Sequence, residues 1–438
     1  MKTKKWSVLI IVMAMLTAML SACGGDKNKE NNASQTPAPS SSNAKPSGEK
    51  VELNMLIAES ILGGIQDQLI EQFESSHPNI KVKVESIPDG SIFDTLRIRI
   101  SSGEVPDLYQ VNIGHVTTQM ADQAGYLADL TDMEAMKGYA ESVKNASTVN
   151  GKIANFSMGV GVLGLPYDKA ALAAAGYSEP PKTWEELMAL GKKMKDSGKD
   201  LLVYSSKWET GIGNVFHWAF GAQAIKDPAF KEAYLANKVD WSIPENRAVL
   251  QQGFERFKEL NQYVRTGSFT NEYSIAQQAF TSGESAMVLG GTWEAGTYRG
   301  LNADLDLGFM NLPYMDEAAN PYIFVPEDGL ALNAQSKHIE EAKTFLNWLF
   351  GEAGNYVQVQ KAKGNMSAIT GVGELDASYS DVPNWLNTDR VVSFANTGPI
   401  PSPTWIALGQ AAQQYTFDGK LDSAINKFIK AYDGTKSK

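Results

Sequence analysis

Short segments with strand-like and helix-like patterns of apolar residues follow one another along the first part of the chain. Residues 51–57 form a mainly apolar run, and residues 80–85 alternate between apolar and charged side chains, as in a half-buried strand. Between them, residues 65–73 place their apolar members on one helical face. A helix over 91–102 and a strand over 108–111 complete the pattern. This order predicts a mostly parallel sheet with helices on both faces.

The same succession resumes after residue 165. Thr183 and Glu186 have the spacing of a capping box, which predicts that a helix begins there. Two α/β lobes fit the layout better than one large sheet, because the chain is too long for one ordinary core. The predicted elements are strands over 201–204, 286–289 and 329–333, and helices over 245–264, 340–350 and 421–432.

The N-terminal residues predict export. Three lysines lie within the first five residues, and an apolar run over 6–20 follows that is shorter than the roughly 20 residues of a spanning helix. Cys23, the only cysteine, comes after Leu-Ser-Ala, a segment that resembles the bacterial lipobox. This resemblance implies a signal peptide over residues 1–22 and lipidation of Cys23. The alternative is a plain secretory signal beside an unpaired cysteine.

The segment after Cys23 predicts a tether. Residues 26–50 are rich in Asn, Ser, Lys, Pro, Gly and Ala and contain no large apolar side chain. Such a composition cannot bury enough surface to become ordered. We therefore expect residues 23–50 to hold a soluble body away from the membrane.

Charge and histidine content narrow the function classes. The chain has 39 basic and 50 acidic residues, a net charge of −11, which disfavours nucleic acid and anionic lipid as partners. Four histidines without ligand spacing, together with a single cysteine, give no reason to expect a metal site. No G-x-S-x-G, P-loop or H-E-x-x-H motif occurs. The sequence predicts a protein without a cofactor that is not an enzyme.

One glycine motif is a misleading match. Gly159, Gly161 and Gly164 satisfy G-x-G-x-x-G, but Pro166 follows directly and no helix begins there. A dinucleotide site requires the glycines to open a helix whose N-terminus holds the pyrophosphate. A hinge or a strand that crosses between lobes explains these glycines better.

Over residues 50–438 the chain resembles the family 1 extracellular solute-binding proteins, the carbohydrate-binding group that includes maltose-binding protein. The family pattern has an Asn where this chain has Asp168, and usually a Pro near residues 154–156. The segments that carry the resemblance are Leu69 to Phe73 with Pro78 to Val82, Ser102-Gly103 with Pro106-Asp107, Gly125 to Leu127 with Asp129-Leu130, Asn150-Gly151-Lys152-Ile153, Leu165-Pro166-Tyr167-Asp168, Pro181 to Leu187, Gly283 to Trp293, and Gly329 to Phe350.

The resemblance implies a periplasmic-binding-protein-like α/β fold, in which two lobes close about a hinge over a ligand in the cleft between them. We place the first lobe at 50–160 plus 322–372 and the second at 161–321 plus 373–438. The implied protein is a monomer, lipid-anchored on the extracytoplasmic face of the cell membrane. It captures a carbohydrate, expected to be an oligosaccharide, and delivers it to the permease and ATPase subunits of an ABC importer.

Candidate ligand contacts follow from sugar chemistry. The apolar face of a sugar ring suits a flat aromatic side chain, and its hydroxyls suit acids and amides. Ligands of open α/β sheets lie beyond the carboxyl ends of strands. In the family, aromatic residues at Trp293 and near Trp405 line the cleft, and the loop with Trp208 contributes. The candidates are Glu59, Gln110, Asn112, Trp208, Trp293, Glu327, Asp328 and Trp405.

Three other functions remain open. A polyamine or a peptide could be the ligand, although the acids here are dispersed and a polyamine site clusters acids around aromatic residues. A secreted lipoprotein glycosidase would need two carboxylates facing each other across the cleft, and Glu185-Glu186 and Glu327-Asp328 are pairs by type only. A sensor that presents its ligand to a membrane receptor would share the same fold and cleft.

Overall fold

A computed structural model describes residues 50–207, 211–351, 353–373, 375–386, 388–393 and 400–436. The predicted signal peptide, the predicted lipidation site at Cys23 and the predicted tether up to residue 49 lie outside these residues. Within the described part, no helix has the length and apolar character needed to cross a membrane.

The described chain begins with a strand and ends with two helices. The strands are β1 Val51–Ala58, β2 Ile80–Ile87, β3 Leu108–Val111, β4 Thr148–Val149, β5 Lys152–Ile153, β6 Phe156–Ser157, β7 Val160–Asp168, β8 Asp200–Val203, β9 Ser285–Val288, β10 Gly290–Gly291, β11 Leu307–Met310, β12 Tyr322–Pro326, β13 Gly329–Leu332 and β14 Val391–Ser393.

Helices connect most of these strands. They are α1 Gln66–Ser76, α2 Ile92–Ser102, α3 Val116–Gln123, α4 Glu141–Ala146, α5 Lys169–Ala174, α6 Trp184–Asp196, α7 Phe216–Lys226, α8 Pro228–Leu235, α9 Pro244–Leu260, α10 Tyr273–Thr281, α11 Ala295–Leu301, α12 Ile339–Gly351, α13 Ala353–Lys363, α14 Val382–Leu386, α15 Ser402–Asp418 and α16 Leu421–Thr435.

The first lobe is built around a five-stranded sheet in the order β2-β1-β3-β13-β6. β1 pairs in parallel with β2 and β3, and β13 pairs antiparallel with β3 and β6. Leu69 and Phe73 of α1 and Phe345 of α12 are fully buried in its core, which also contains Trp348 of α12. The parallel pairing of β1, β2 and β3 agrees with the predicted mostly parallel sheet, but β13 is antiparallel to both of its neighbours, so that prediction holds only for the first three strands.

The second lobe is built around a seven-stranded sheet in the order β14-β12-β7-β9-β8, with β10 and β11 also paired to β7. β7 is antiparallel to β9, β10, β11 and β12, so it organises this sheet. The predicted capping box is present, because the Thr183 hydroxyl accepts from the Glu186 N–H and the Glu186 carboxylate accepts from the Thr183 N–H.

The glycine motif lies on the strand that enters the second lobe, as the crossing-strand interpretation predicts. Gly161 and Gly164 are within β7, and a Cβ at Gly164 would lie 2.6 Å from Phe309 Cζ and 2.7 Å from Met310 O. A helix that could hold a pyrophosphate does not begin at these glycines.

One predicted lobe boundary is corrected by the topology. The sequence predicts that the chain returns to the first lobe at residue 322, but β12 (Tyr322–Pro326) pairs with β7 and β14 in the second lobe. The change of lobe occurs after β12, at Glu327 and Asp328, because β13 is the first strand to rejoin the five-stranded sheet.

Candidate ligand-binding cleft

The two sheets are joined where the chain crosses between them. The first crossing follows β6 at Met158 and Gly159, and the second is formed by Glu327 and Asp328. The Met158 N–H donates to the Asp328 carbonyl over 2.9 Å, so the two crossings are hydrogen-bonded to each other. Beside them lies a cavity of about 370 Å³ lined by residues of both lobes. Its volume lies within the range of small-molecule sites.

The carboxylate of Asp328 is held at this cavity by two amides. Gln110 Nε2 donates to Oδ2 over 2.5 Å, and Asn112 Nδ2 donates to Oδ1 over 2.6 Å. Gln110 is itself fixed, because its Oε1 accepts from the Ala58 N–H over 2.7 Å at the end of β1. Burial raises the pKa of Asp328 to about 6, although the two amides and the charge of Lys363 favour the carboxylate.

Glu327 lies beside Asp328 and is 6 % exposed. Its Oε2 accepts from Asn365 Nδ2 over 2.5 Å and lies 3.4 Å from Lys363 Nζ. Lys363 is the last residue of α13 and Asn365 follows it, so this carboxylate joins the second crossing to the C-terminal end of that helix. The crossing residues thus place two carboxylates side by side on the wall of the cavity.

In the second lobe the cavity is lined by two aromatic residues, Trp293 and Tyr273, which we call the aromatic wall. Trp293 lines the cavity, and its Nε1 donates to the Tyr273 hydroxyl over 3.3 Å. A glycine at 161 is required behind the indole, because a Cβ there would lie 2.9 Å from Trp293 Cε3 and 3.0 Å from Val325 O. The ring is therefore positioned by β7 on one side and by a hydroxyl at its edge.

Glu294 lines the cavity next to the aromatic wall and is 4 % exposed. It accepts hydrogen bonds from the Tyr273 hydroxyl and from Gln277 Nε2, the latter over 2.8 Å. Burial raises the pKa of Glu294 to about 7, against the effect of these two donors, while Asp89 raises it further and Lys363 lowers it.

The first lobe contributes an aromatic pair, Phe93 and His115, whose rings stack with centroids 4.0 Å apart. The Thr117 N–H donates to His115 Nδ1 over 3.1 Å, which assigns the proton of the neutral ring to Nε2. Burial, and then the charge of Arg97, lower the pKa of His115 to about 4, so the ring is neutral at pH 7.

The structure brings four of the eight predicted contacts to the cavity: Gln110, Trp293, Glu327 and Asp328. Asn112 is fully buried and reaches the cavity only through Asp328. Glu59 is a correction: it is exposed, and the cavity is lined instead by Ser60 and Ile61. Trp208 lies outside the described residues.

Trp405 is the second correction. The prolines at 399, 401 and 403 in the sequence argue against a core helix around Trp405, but Trp405 lies in the first turn of α15 and is fully buried. A helix tolerates proline in its first turn, where the missing N–H has no partner to lose. The Trp405 ring packs on His217, with centroids 4.5 Å apart, and on Phe220. The neighbouring Ile406 lines the cavity instead.

Sequence reasoning also missed Tyr273, Glu294, Lys363 and His115. His115 follows β3, so the rule that ligands bind beyond the carboxyl ends of strands, which selects Gln110 and Asn112, could have included it. The histidines were considered only as metal ligands, and their spacing does not fit a metal site. Glu294 is adjacent to Trp293 and could have been found in the same way. Tyr273 and Lys363 carry no local signal, because only the fold brings them to the cavity.

Comparisons with known proteins identify the family. The profile described as bacterial extracellular solute-binding protein matches residues 60–356. This chain belongs to that family. The resemblance seen in the sequence and the two-lobed α/β fold are therefore confirmed.

Relatives whose names state a ligand are also binding proteins, as the family description implies. The multiple sugar-binding protein of Streptococcus mutans serotype c is 22 % identical over 354 residues, 80 % of this chain and 79 % of that protein. The diacetylchitobiose binding protein NgcE of Streptomyces coelicolor is 25 % identical over 435 residues, 88 % of this chain and 89 % of that protein. The structure of the solute-binding protein RafE in complex with raffinose superposes with a TM-score of 0.74, at 18 % identity, over 89 % of this chain and all of that chain.

Proposed function

We propose that this solute-binding protein captures a carbohydrate in the cleft between its lobes and delivers it to an ABC importer. The observation that carries the proposal is the pairing, at one cavity, of an indole face with two carboxylates on the crossing segment. Trp293 matches the apolar face of a sugar ring, and Gln110, Glu327 and Asp328 match its hydroxyls.

The chemistry of the relatives supports the same ligand class. Each of the relatives described above is named for a sugar or has a sugar bound. Two of these sugars are oligosaccharides: diacetylchitobiose for NgcE and raffinose for RafE. A cavity with aromatic residues in both lobes, Phe93 in the first and Trp293 in the second, suits a ligand longer than one ring. We therefore favour an oligosaccharide.

Binding to both lobes favours the closed state, since contacts that exist only when the lobes meet stabilise that arrangement. The crossings at Met158 and Asp328 are the points about which the lobes turn in this proposal. The protein acts as a monomer, and the energy for transport comes from separate permease and ATPase subunits.

Isothermal titration calorimetry of the body, from residue 50 onward, tests the proposal with a panel of mono- and oligosaccharides, polyamines and short peptides. One sugar class is expected to bind, and Trp293→Ala is expected to weaken it. Phe417→Ala is the matched control, because Phe417 is 76 % exposed on α15 and does not line the cleft. If a polyamine or a peptide binds and no sugar does, the proposal that the ligand is a carbohydrate is refuted, while the assignment of the fold still stands.

Hydrolysis must be measured with the same sugars, since Asp328 and Glu294 are two carboxyl groups with raised pKa at one cavity. Both are already occupied by donors from the protein, which argues against a glycosidase. Chromatography of the sugar after long incubation is expected to show no shorter products. If sugar is cleaved and the cleavage requires the carboxyl group of Asp328 or Glu294, the protein is a glycosidase and the proposal of a binding protein is wrong.

The lipid anchor is a separate part of the proposal. We propose that Cys23 is lipidated after removal of residues 1–22 and that it holds the protein on the extracytoplasmic face of the membrane. Two or more acyl chains are needed for stable anchoring, which a lipidated N-terminal cysteine supplies. Cys23→Ser is expected to abolish incorporation of labelled palmitate and to move the protein from the detergent phase to the aqueous phase.

A further inference from the structure

The Glu327 carboxylate uses its two oxygens differently. Oε2 takes both the Asn365 amide and the Lys363 ammonium, as described above. Oε1 is buried and has no hydrogen-bond partner among the described residues, and Glu327 is one of the residues that line the cavity. A buried acceptor without a donor costs free energy, and a ligand that supplies the donor recovers it.

The cations at the cleft are already paired with acids. Lys363, the buried one, faces Glu327, and the two at the rim, Arg97 and Lys207, lie 2.6 Å from Asp94 and 3.4 Å from Glu272. Both rim pairs are more than half exposed, so solvent screens them and they attract a ligand weakly. Among the described residues, the cleft offers no buried cation that is not neutralised.

Acids outnumber these cations on the cavity wall. Asp328 faces the cavity with only amide donors on its carboxylate, and Asp89 adds another acid at the rim. A carboxylate or phosphate on a ligand would be placed beside Glu327 and Asp328, where like charges repel across a partly desolvated space. A hydroxyl in the same place would donate to Glu327 Oε1.

We propose, on the basis of the carbohydrate-binding function above, that the cleft selects uncharged carbohydrates against uronic acids and sugar phosphates, and that Glu327 determines this selectivity by accepting a hydrogen bond from a ligand hydroxyl through Oε1. Asp328 contributes to the rejection of anions. Lys363 neutralises the Glu327 carboxylate and, while that ion pair is intact, does not bind an anionic ligand.

Wild-type protein gives the first test. Calorimetry at pH 7.5 compares raffinose, diacetylchitobiose, maltotriose and xylobiose with digalacturonic acid, glucuronosyl-xylobiose and glucose 6-phosphate. At least one neutral sugar is expected to bind about tenfold or more tightly than every acidic one. An acidic sugar that binds as tightly as the neutral ones would overturn the selectivity but leave carbohydrate binding standing. If neither kind binds, the proposed function fails, and the selectivity with it.

Glu327→Gln gives the second test. The neutral ligand is expected to weaken by about tenfold, because a charge-assisted hydrogen bond becomes a neutral one, and acidic sugars are expected to gain, because Lys363 loses its carboxylate partner. Glu232→Gln, an exposed glutamate of α8, is the matched control and should change neither. Equal weakening of neutral and acidic sugars would refute the role of Glu327. If the variant does not fold, the wild-type comparison decides alone.

Discussion

Replacing Glu294 by glutamine is expected to change how the stability of the protein depends on pH. The carboxyl group of Glu294 is buried, accepts from Tyr273 and Gln277, and faces the charges of Asp89 and Lys363. Glutamine has nearly the same shape and retains one oxygen for these donors. The substitution therefore removes the titration with little change in packing.

The size of the effect follows from the two pKa values of Glu294. Its ordinary value is 4.5, and burial raises it to about 7 in the folded protein. Between these values the folded state binds more protons than the unfolded state, so the free energy of unfolding falls as pH rises from about 4.5 to about 7. A difference of that size corresponds to about 3 kcal/mol. The titration of Glu294 removes this amount from the stability of the wild-type protein across the interval, and Glu294→Gln lacks that contribution.

Urea unfolding at pH 4.5 and pH 8.5, followed by tryptophan fluorescence, measures the difference. All described tryptophans except Trp348 lie in the second lobe, which holds Glu294, so the signal reports that lobe. The gap in unfolding free energy between Glu294→Gln and wild type should widen by about 3 kcal/mol in favour of the variant at the higher pH. Glu232→Gln should run parallel to wild type. Parallel profiles for Glu294→Gln as well would show that this carboxyl titrates normally.

Three further substitutions test the position of the Trp293 ring, the core of the second lobe and the cap of α6. Gly161→Ala should weaken sugar binding measured by calorimetry, because the new methyl lies against the indole of Trp293; unchanged affinity would mean that the ring position is not needed. Trp405→Ala should lower the free energy of unfolding by about 3–5 kcal/mol yet leave the affinity of the folded protein unchanged, whereas a loss of affinity alone would restore the cleft role. Thr183→Ala should cost about 1 kcal/mol in urea unfolding through loss of the α6 cap, and no change would show that the capping box contributes nothing.

The elements that could be predicted from the sequence depend on residues close together in the chain. The alternation over 80–85 became β2, and the Thr183 cap begins α6 as expected. The helix predicted over 245–264 is α9, Pro244–Leu260, which ends earlier because Asn261 begins a short tighter helix. Local patterns determine such elements, since capping and periodicity act within a few turns.

The parts of the site that could not be predicted depend on contacts between distant residues. Gln110 and Asn112 meet Asp328 across 218 and 216 positions of the chain, and no local pattern records that pairing. Trp405 shows the converse failure: the prolines near it favour a loop, but Pro403 lies in the first turn of α15, where a helix tolerates proline, and the indole is buried in the core. The choice between core and cleft for an aromatic residue is made by the fold.

The position of the two acidic residues links ligand contact to lobe movement. Glu327 and Asp328 are themselves a crossing between the lobes; Asp328 bonds to Met158 of the first crossing, and Glu327 bonds to Asn365 after α13. Met158 in turn accepts from Gln360 Nε2 over 2.8 Å, so three chain segments meet at one polar network. If a ligand hydroxyl binds at Glu327 as proposed, it acts on the residues about which we propose that the lobes turn. Differential contact with the open and closed arrangements is what allows a ligand to shift the equilibrium between them, and a carboxylate in the hinge offers that contact directly.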